Sequence, residues 1–195
     1  GQATFGGPAR DYVNAIIPGG EGGFFFGGST FPTAFEDGQA WICRTDAAAD
    51  ALVWEKSYPY GSGAGISGLT ATYDGGCICV GGTLRMETPS YGASDAFMMR
   101  LDSDGDELWS YSSGLDGPDY FYAVAPAHNG GYICAGAMYE TGDAWLARID
   151  EDGDTAWERT FYGGVLYSIN PTSGNGYICS GEKDGKAWLL RVDIR

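Results

Sequence analysis

The sequence predicts an all-β fold made of about four copies of one four-stranded unit, and three observations support this prediction. The 195-residue chain contains 33 glycines and many aromatic residues, which is typical of short strands joined by tight turns. The pattern Ala-aromatic-x-x-Arg-x-Asp occurs four times, and a Gly-Gly or Asn-Gly pair precedes each copy. Tandem repetition of a strand-rich unit of about 45–50 residues is typical of the blades of a β-propeller.

Each unit is predicted to contain four strands, A to D. Strand A is the apolar run before the glycine pair, strand B follows that pair, strand C carries the Ala-aromatic-x-x-Arg pattern, and strand D carries a Trp. The glycine pairs and the Asp-Gly turns between strands C and D supply residues that accept positive φ, as tight hairpins require. The predicted A strands are residues 13–17, 66–71, 121–125 and 166–170, and the predicted B strands are 24–27, 77–81, 132–135 and 177–180.

The repeats predict a single domain, residues 1–195, with four blades of four antiparallel strands. The blades are predicted at roughly 11–58, 64–113, 119–162 and 165–195 plus 1–7. The fourth copy stops before its strand D, and residues 1–7 align with residues 157–163. We therefore expect the segment from Ala3 to Gly6 to pair with the last blade and close the ring, which would cover an exposed edge strand. The alternative is a shorter or longer ring formed by two associated chains.

The most regular unit also carries a family resemblance. Gly130-Gly131-Tyr132-Ile133, Asp143-Ala144-Trp145-Leu146, Asp152-Gly153 and Trp157 resemble propeller repeats found in secreted and surface-attached proteins of bacteria and archaea. The resemblance implies a propeller fold and a secreted or cell-surface location, with the leader absent from this chain. It implies no catalytic residue.

The formal net charge of −15 restricts the partners. An acidic surface repels a nucleic-acid backbone and an anionic membrane, so neither is an expected partner. No apolar run approaches the roughly 18 residues that a membrane helix needs, so no membrane span is predicted. Cations, neutral glycans and basic proteins remain possible partners.

The cysteines and the single histidine argue against metal or disulfide chemistry. Five cysteines are an odd number without paired zinc spacing, and Cys79, Cys134 and Cys179 share one strand-B position with Phe26. A position shared by Cys and Phe is an apolar core position. His128 is the only histidine, which excludes multi-histidine zinc sites and argues against a Ser-His-Asp triad. We therefore predict no cofactor and no metal site.

The loops between strands B and C are one candidate site for function. They contain 11, 13, 7 and 5 residues in successive blades, whereas the other turns are more uniform. Loops on a rigid scaffold commonly carry function, so this face is expected to bind a ligand. The expected contributors from the first two blades are Phe31, Phe35, Arg85, Met86 and Tyr91.

The central channel is the other candidate site. Strand A is expected to line it, with Asn14, Ser67, Tyr122 and Tyr167 at equivalent positions. Asp11-Tyr12 matches Asp119-Tyr120 in the opposite blade, so two carboxylates could bind a cation or act as an acid–base pair on a sugar. Alternatively, these carboxylates are solvated or tie a loop to neighbouring backbone. The predicted ligand-binding residues are Asp11, Tyr12, Asn14, Tyr91, Asp119, Tyr120, Tyr122 and Tyr167.

The sequence favours a non-enzymatic, extracytoplasmic binding module, monomeric or dimeric, whose ligand is a glycan or a protein. Two alternatives remain open. One is a polysaccharide-acting enzyme that uses the channel-mouth carboxylates. The other is a purely structural module of a larger surface protein.

Overall fold

The fold consists of consecutive β-strands. The computed structural model describes residues 1–20, 22–33, 38–60, 62–84, 95–114 and 117–193, and these contain fifteen strands. The strands are β1 Asp11–Pro18, β2 Phe24–Thr30, β3 Gln39–Thr45, β4 Leu52–Tyr58, β5 Ser62–Ala71, β6 Cys77–Leu84, β7 Ala96–Leu101, β8 Glu107–Ser113, β9 Asp119–Pro126, β10 Tyr132–Met138, β11 Asp143–Ile149, β12 Thr155–Phe161, β13 Val165–Pro171, β14 Gly176–Lys183 and β15 Lys186–Asp193.

Four antiparallel sheets, which we call blades 1 to 4, follow one another along the chain. Blades 1, 2 and 3 have four strands each in chain order, β1–β4, β5–β8 and β9–β12, and blade 4 has the three strands β13–β15. The predicted all-β class and the antiparallel repeat are confirmed. The three-stranded last sheet agrees with a fourth copy that stops before its strand D.

The four blades form an open arc. The sheets do not close into a ring, and residues 1–10 contain no assigned strand. The ring of Phe5 instead stacks on Phe26 of blade 1, with ring centroids 5.8 Å apart, in a small cluster that includes Trp41. Closure of a four-bladed ring by the N-terminal segment therefore stays a prediction.

The predicted glycine turns join strands A and B. Gly131 has φ +71°, and a Cβ there would lie 2.3 Å from the carbonyl oxygen of Ile149. Gly23 has φ +78°, and its Cβ would lie 2.1 Å from the carbonyl oxygen of Thr45. A side chain at either position would be strained in its backbone and would collide with the end of strand C, so only glycine fits.

Apolar clusters fill the spaces between successive blades. Phe25 and Ile42 of blade 1 pack against Ile66 and Leu69 of blade 2. Equivalent residues form the clusters between blades 2 and 3 and between blades 3 and 4. Blades 2 and 3 therefore each bury one sheet face against the preceding blade and the other against the following blade, which is how sheets stacked around an axis form a core.

Polar contacts supplement the apolar junction between blades 1 and 2. Arg44 Nη1 and Trp54 Nε1 both donate to the carbonyl oxygen of Ser103, each at 2.9 Å. Ser103 lies in the turn between β7 and β8. These bonds satisfy a backbone carbonyl that would otherwise need a hydrogen bond from water at the rim of the junction.

The junction between blades 2 and 3 repeats this arrangement. Trp109 Nε1 and Arg100 Nη1 donate to the carbonyl oxygen of Glu151 at 2.9 and 3.1 Å. Arg100 also forms an ion pair with Asp74 within its own blade, at 2.8 Å. Arg100 therefore binds both its own blade and the next.

All five cysteines are free and buried, and the core position predicted for Cys79, Cys134 and Cys179 is confirmed. Burial raises the pKa of the Cys179 thiol from 9.0 to about 11. Burial also raises the pKa of Cys134. These thiols remain neutral and act as small apolar side chains.

We predict that the protein loses stability as the pH rises above about 9. The unfolded chain releases the Cys179 proton near 9.0, whereas the folded chain holds it to about 11. The folded state therefore binds more protons in this window, so the stabilisation is complete below pH 9 and is lost as the pH passes through 11.

Denaturant unfolding at about pH 8 and about pH 10.5 measures this loss. The variant Cys179→Val cannot ionise at this position, so it should lose less stability than the wild type over the same interval. Equal losses in the two proteins would contradict the assignment to Cys179.

Candidate functional site

Each blade has a β-bulge at the same point of its first strand. In blade 3, Ala123 lies opposite Ala135 and Phe121 opposite Gly136, so Tyr122 between them has no partner across the strand pair. The other blades show the same shift. A bulge bends its strand and redirects the extra side chain. The four bulged residues are Asn14, Ser67, Tyr122 and Tyr167, the positions that the sequence predicted to line the channel.

A glycine in the second strand makes each bulge possible. At Gly136, a Cβ would lie 1.8 Å from the carbonyl oxygen of Tyr120 and 3.0 Å from the Cα of Phe121. No side chain fits in this space, so the first strand presses directly on the backbone of the second. The equivalent distances to a first-strand carbonyl oxygen are 1.8 Å at Gly28, 1.9 Å at Gly81 and 1.8 Å at Gly181.

Two of the bulged side chains, Asn14 and Tyr122, reach the first strand of the next blade. Asn14 Nδ2 donates to the carbonyl oxygen of Ile66 at 2.9 Å. The ring of Tyr122 meets that of Tyr167 edge-on, with centroids 5.3 Å apart. The bulges therefore join neighbouring blades along the inner side of the arc.

Four tyrosines gather where blades 3 and 4 meet, and we call them the tyrosine cluster: Tyr120, Tyr122, Tyr139 and Tyr167. Tyr120 stacks on Tyr122 and meets Tyr139 edge-on, with centroids 6.0 Å apart in both pairs. The hydroxyls of Tyr122 and Tyr139 are hydrogen-bonded at 2.8 Å. Tyr139 and Tyr167 are each nearly half exposed, so the cluster offers ring faces and hydroxyls to solvent.

Blade 2 supports the cluster from the other side. A Cβ at Gly82 would lie 2.2 Å from Cδ1 of Tyr120, so the ring of Tyr120 lies directly on the backbone of β6. Contact with a strand on one side and with two rings on the other restricts the rotation of Tyr120. Tyr120 is therefore held in place by packing before any ligand arrives.

The hydroxyls of Tyr122 and Tyr167 keep their protons at neutral pH, because the pKa of each is raised. Burial raises the pKa of Tyr122, and the hydrogen bond with Tyr139 raises it further. Burial also raises the pKa of Tyr167, with smaller contributions from Tyr139 and Glu182. These two residues therefore present neutral phenols that can both donate and accept hydrogen bonds.

The two predicted carboxylates lie in different environments. Asp11 accepts hydrogen bonds from the Gly7 amide at 2.8 Å and from Thr30 Oγ1 at 2.7 Å, which ties the N-terminal segment to β2. Asp119 is fully buried, and Oδ2 would lie 2.6 Å from a Cβ at Gly114. The bonds of Asp11 match the alternative in which this carboxylate ties a loop to backbone. The burial of Asp119 does not favour an acid–base pair acting on a polysaccharide.

Tyr12 holds the position of Tyr120 in blade 1 but has other neighbours. Its ring meets Phe31 edge-on at 6.1 Å, and the guanidinium of Arg10 lies 5.6 Å from the ring centroid. Tyr12 and Phe31 thus form a smaller aromatic patch on blade 1.

The remaining predicted loop residues, Phe35, Arg85, Met86 and Tyr91, lie outside the described part of the chain. The role of the long loops therefore stays a prediction.

Sequence reasoning missed Tyr139. This residue follows β10 in the short loop of blade 3, whereas loop length directed attention to the first two blades. The sequence did contain a signal for Tyr139, because this residue comes just after strand B of its blade. Strands β9 and β10 are antiparallel, so a residue just after β10 lies beside the start of β9, near Tyr120.

Comparison with known proteins identifies a fold. No family model and no curated protein matches the chain. The chain is similar to the crystal structure of Sqt1 from Chaetomium thermophilum, with 17% sequence identity over 89% of this chain and 41% of Sqt1, and a TM-score of 0.54. It spans less than half the length of that Sqt1 chain. Sqt1 is a WD40 propeller, so the comparison supports a propeller fold and leaves the number of blades open.

Two further solved structures match with lower scores. The WD40 β-propeller domain of Doa1 has 12% identity over 92% of this chain and 77% of that domain, with a TM-score of 0.40. Sqt1 bound to the N-terminus of the ribosomal protein L10 has 13% identity over 96% of this chain and 65% of Sqt1, with a TM-score of 0.42.

The predicted secreted or cell-surface location is wrong. The Sqt1 structures to which the chain is similar are of an intracellular WD40 protein, which points away from a secreted location. The resemblance that suggested this location rests on turn and core residues such as Gly131 and Trp145. Such residues are needed for the packing of a blade, and this packing is the same in a propeller of any cellular compartment. Among the described residues, no helix has the length and apolar character to span a membrane.

We predict that Gly136→Ala destabilises the protein by about 3 kcal/mol, because the added methyl group must displace the backbone at Tyr120. Urea unfolding measures the change. The matched control is Gly174→Ala, where the methyl group meets no atom within 4 Å. Similar stabilities for the two variants would show that the strand-B glycine is not required.

We predict that the hydroxyls of Tyr122 and Tyr139 are energetically coupled. Each Phe substitution removes the same hydrogen bond, so the double variant should cost less than the sum of the two single variants, with a coupling of about 0.5–1.5 kcal/mol. A double-mutant cycle of Tyr122→Phe and Tyr139→Phe, read by urea unfolding, measures this coupling. Additive costs would mean that the hydroxyl pair does not hold the cluster together.

Proposed function

We propose that this protein is a non-enzymatic module that binds a protein partner through the tyrosine cluster. The observation that supports this most strongly is the packing of four partly exposed tyrosines, of which Tyr122 and Tyr167 lie on strand bulges. The cluster lies on the face of the arc where strands β9 and β13 begin. The loops of variable length between strands B and C emerge on the same face.

Aromatic residues dominate the binding energy of many protein interfaces. Tyrosine combines a large apolar ring with a hydroxyl and has few rotatable bonds, so ordering it on binding costs little entropy. In this protein Tyr120 and Tyr122 are already held by their neighbours. Binding would therefore order only the more exposed rings of Tyr139 and Tyr167.

The charge of the molecule favours a basic partner. The whole chain has a formal net charge of −15, and Glu182 lies close enough to Tyr167 to raise its pKa. Glu140 is exposed beside Tyr139. Lys or Arg side chains of a partner could stack on the tyrosine rings and pair with these carboxylates. We therefore propose a segment rich in Lys and Arg as the ligand.

A protein ligand is also in line with the comparisons, since one similar structure shows Sqt1 bound to the N-terminus of a ribosomal protein. The other predicted residues extend the proposed surface. Asp11, Tyr12 and Asn14 would contribute from blade 1, Asp119 would support the surface from within, and Tyr91 would contribute from the long loop of blade 2.

We predict that Tyr139→Ala and Tyr167→Ala each weaken binding of a Lys/Arg-rich peptide about 10- to 100-fold, as expected when an aromatic anchor is removed. A peptide array would select the best binder, and isothermal titration calorimetry would give the dissociation constants. Binding should also weaken as salt is added, because the charges lie at the surface.

The control variant is Tyr73→Ala. Tyr73 is 87% exposed and lies in the β5–β6 turn at the opposite end of the blades, so it should leave affinity unchanged. Equal losses for Tyr73→Ala and Tyr167→Ala would contradict the proposed site. Binding to an oligosaccharide panel with no binding to any peptide would favour the glycan alternative.

A further inference from the structure

Each junction between blades joins two faces that are made by fixed positions of the repeat. We call them the exit face, formed by strands B and C and directed to the next blade, and the entry face, formed mainly by strand A and directed to the preceding blade. Between blades 3 and 4, Ile133 and Leu146 form the exit face, and Leu166 and Ile169 form the entry face. All four side chains are buried.

The exit face of blade 4 has no following blade in the described chain. Ile178 and Leu189 hold the positions of Ile133 and Leu146, yet they are 36% and 71% exposed. Apolar side chains at positions that are buried in every other blade indicate a surface that lacks its partner.

The entry face of blade 1 is open in the same way. Val13 and Ile16 hold the positions of Leu166 and Ile169 but are 54% and 64% exposed. They line a cavity of about 250 Å³ together with the aromatic rings of Phe5, Phe24 and Phe26. At the other junctions, the equivalent surface contacts the preceding blade and is likewise apolar.

We propose that two copies of this chain associate head to tail, with blade 4 of each copy packed on blade 1 of the other, to form one ring of eight blades. The two open faces complement each other, because the same positions make the three junctions within the chain. A single arc does not close on itself. It matches 41% of the length of the Sqt1 propeller chain, so two such arcs are close to one larger ring. Eight blades lie within the usual range of about 4–8.

The N-terminal segment already lies where the outer strand of a preceding blade would lie. In blade 3, Phe161 of the outer strand β12 contacts Trp188 of blade 4, with centroids 6.4 Å apart. Trp41 holds the position of Trp188 in blade 1, and Phe5 packs into its cluster. Residues 1–7 of one copy would therefore pair with the open edge of β15 of the other copy and complete its blade with a fourth strand.

A repeated polar contact would also be completed across the two copies. At the first two junctions, Arg44 and Arg100 donate to a carbonyl oxygen in the β-turn of the next blade. The equivalent carbonyl of blade 1 belongs to Ala47, which is exposed, and the equivalent donor of blade 4 is Arg191. Arg191 is exposed and pairs with Asp193 of its own strand at 3.3 Å. In the ring, Arg191 of one copy would donate to Ala47 of the other.

The net charge of each copy opposes this association, whereas the contacts that drive it are apolar. Salt screens the repulsion between two chains of charge −15, whereas salt does not weaken the burial of apolar surface. The dimer should therefore become tighter as the salt concentration rises. Binding of a basic peptide to the tyrosine cluster should become weaker, so the two properties are separable.

Sedimentation equilibrium of the chain tests the proposal, and we expect twice the mass of one copy. Ile16→Lys and Leu189→Glu each place a charge in both junctions of the ring, so each variant alone should have the mass of one copy. A mixture of the two can form one unaltered junction and one with Lys opposite Glu, so the mass of two copies should return. Both side chains are largely exposed within one chain, so neither change should unfold it.

Val53→Lys is the control, because Val53 is 58% exposed on the outer strand β4, and the equivalent Leu108 stays 52% exposed in blade 2, whose entry face is covered. This variant should not change the mass. A single-copy mass for the wild type at high concentration and high salt would overturn the proposal. It would favour closure of the ring within one chain or by further repeats. A mixture of the two variants that stays monomeric would equally overturn the head-to-tail arrangement.

Discussion

The close approach between the first two strands of each blade is the constraint on which the rest of the structure depends. A glycine such as Gly136 lets the carbonyl of Tyr120 come within 1.8 Å of the place where a Cβ would lie. That approach allows the first strand to hold an extra residue, and the bulge turns this residue toward the next blade. This bulge places the four extra side chains along the inner side of the arc. It also accounts for the hydrogen bond from Asn14 to blade 2 and for the packing of Tyr122 on Tyr167.

The junctions between blades explain why the arc has two different ends. Each blade has an exit face and an entry face, so an open row of repeats leaves one of each unpaired. Here Leu189 is exposed at one end and Ile16 at the other, although both positions are buried inside the arc. A ring removes both ends at once, whether the missing blades come from the same chain or from another copy.

The chemistry of the inner face favours recognition over catalysis. Tyr122 and Tyr167 hold their protons because burial raises the pKa of each. Asp11 is engaged in hydrogen bonds to a loop, and Asp119 is fully buried. What remains open to a partner is a set of closely packed aromatic side chains with the carboxylates of Glu140 and Glu182 nearby. Such a surface suits cation–π and hydrogen-bond contacts with a basic protein segment.

The sequence by itself determined the strands, the hairpins and the repeat, because these depend on neighbouring residues. Gly131 must adopt positive φ, and the position of Cys134 holds a buried apolar residue in every copy. It also predicted Tyr120, Tyr122 and Tyr167, because the repeat alignment places them on the inner strand. Only the tertiary structure brought Tyr139 to them and buried Asp119, since both depend on which strands and loops lie side by side. The open ends of the arc were likewise decided by packing, because the twist between blades is a property of whole sheets and not of any local pattern.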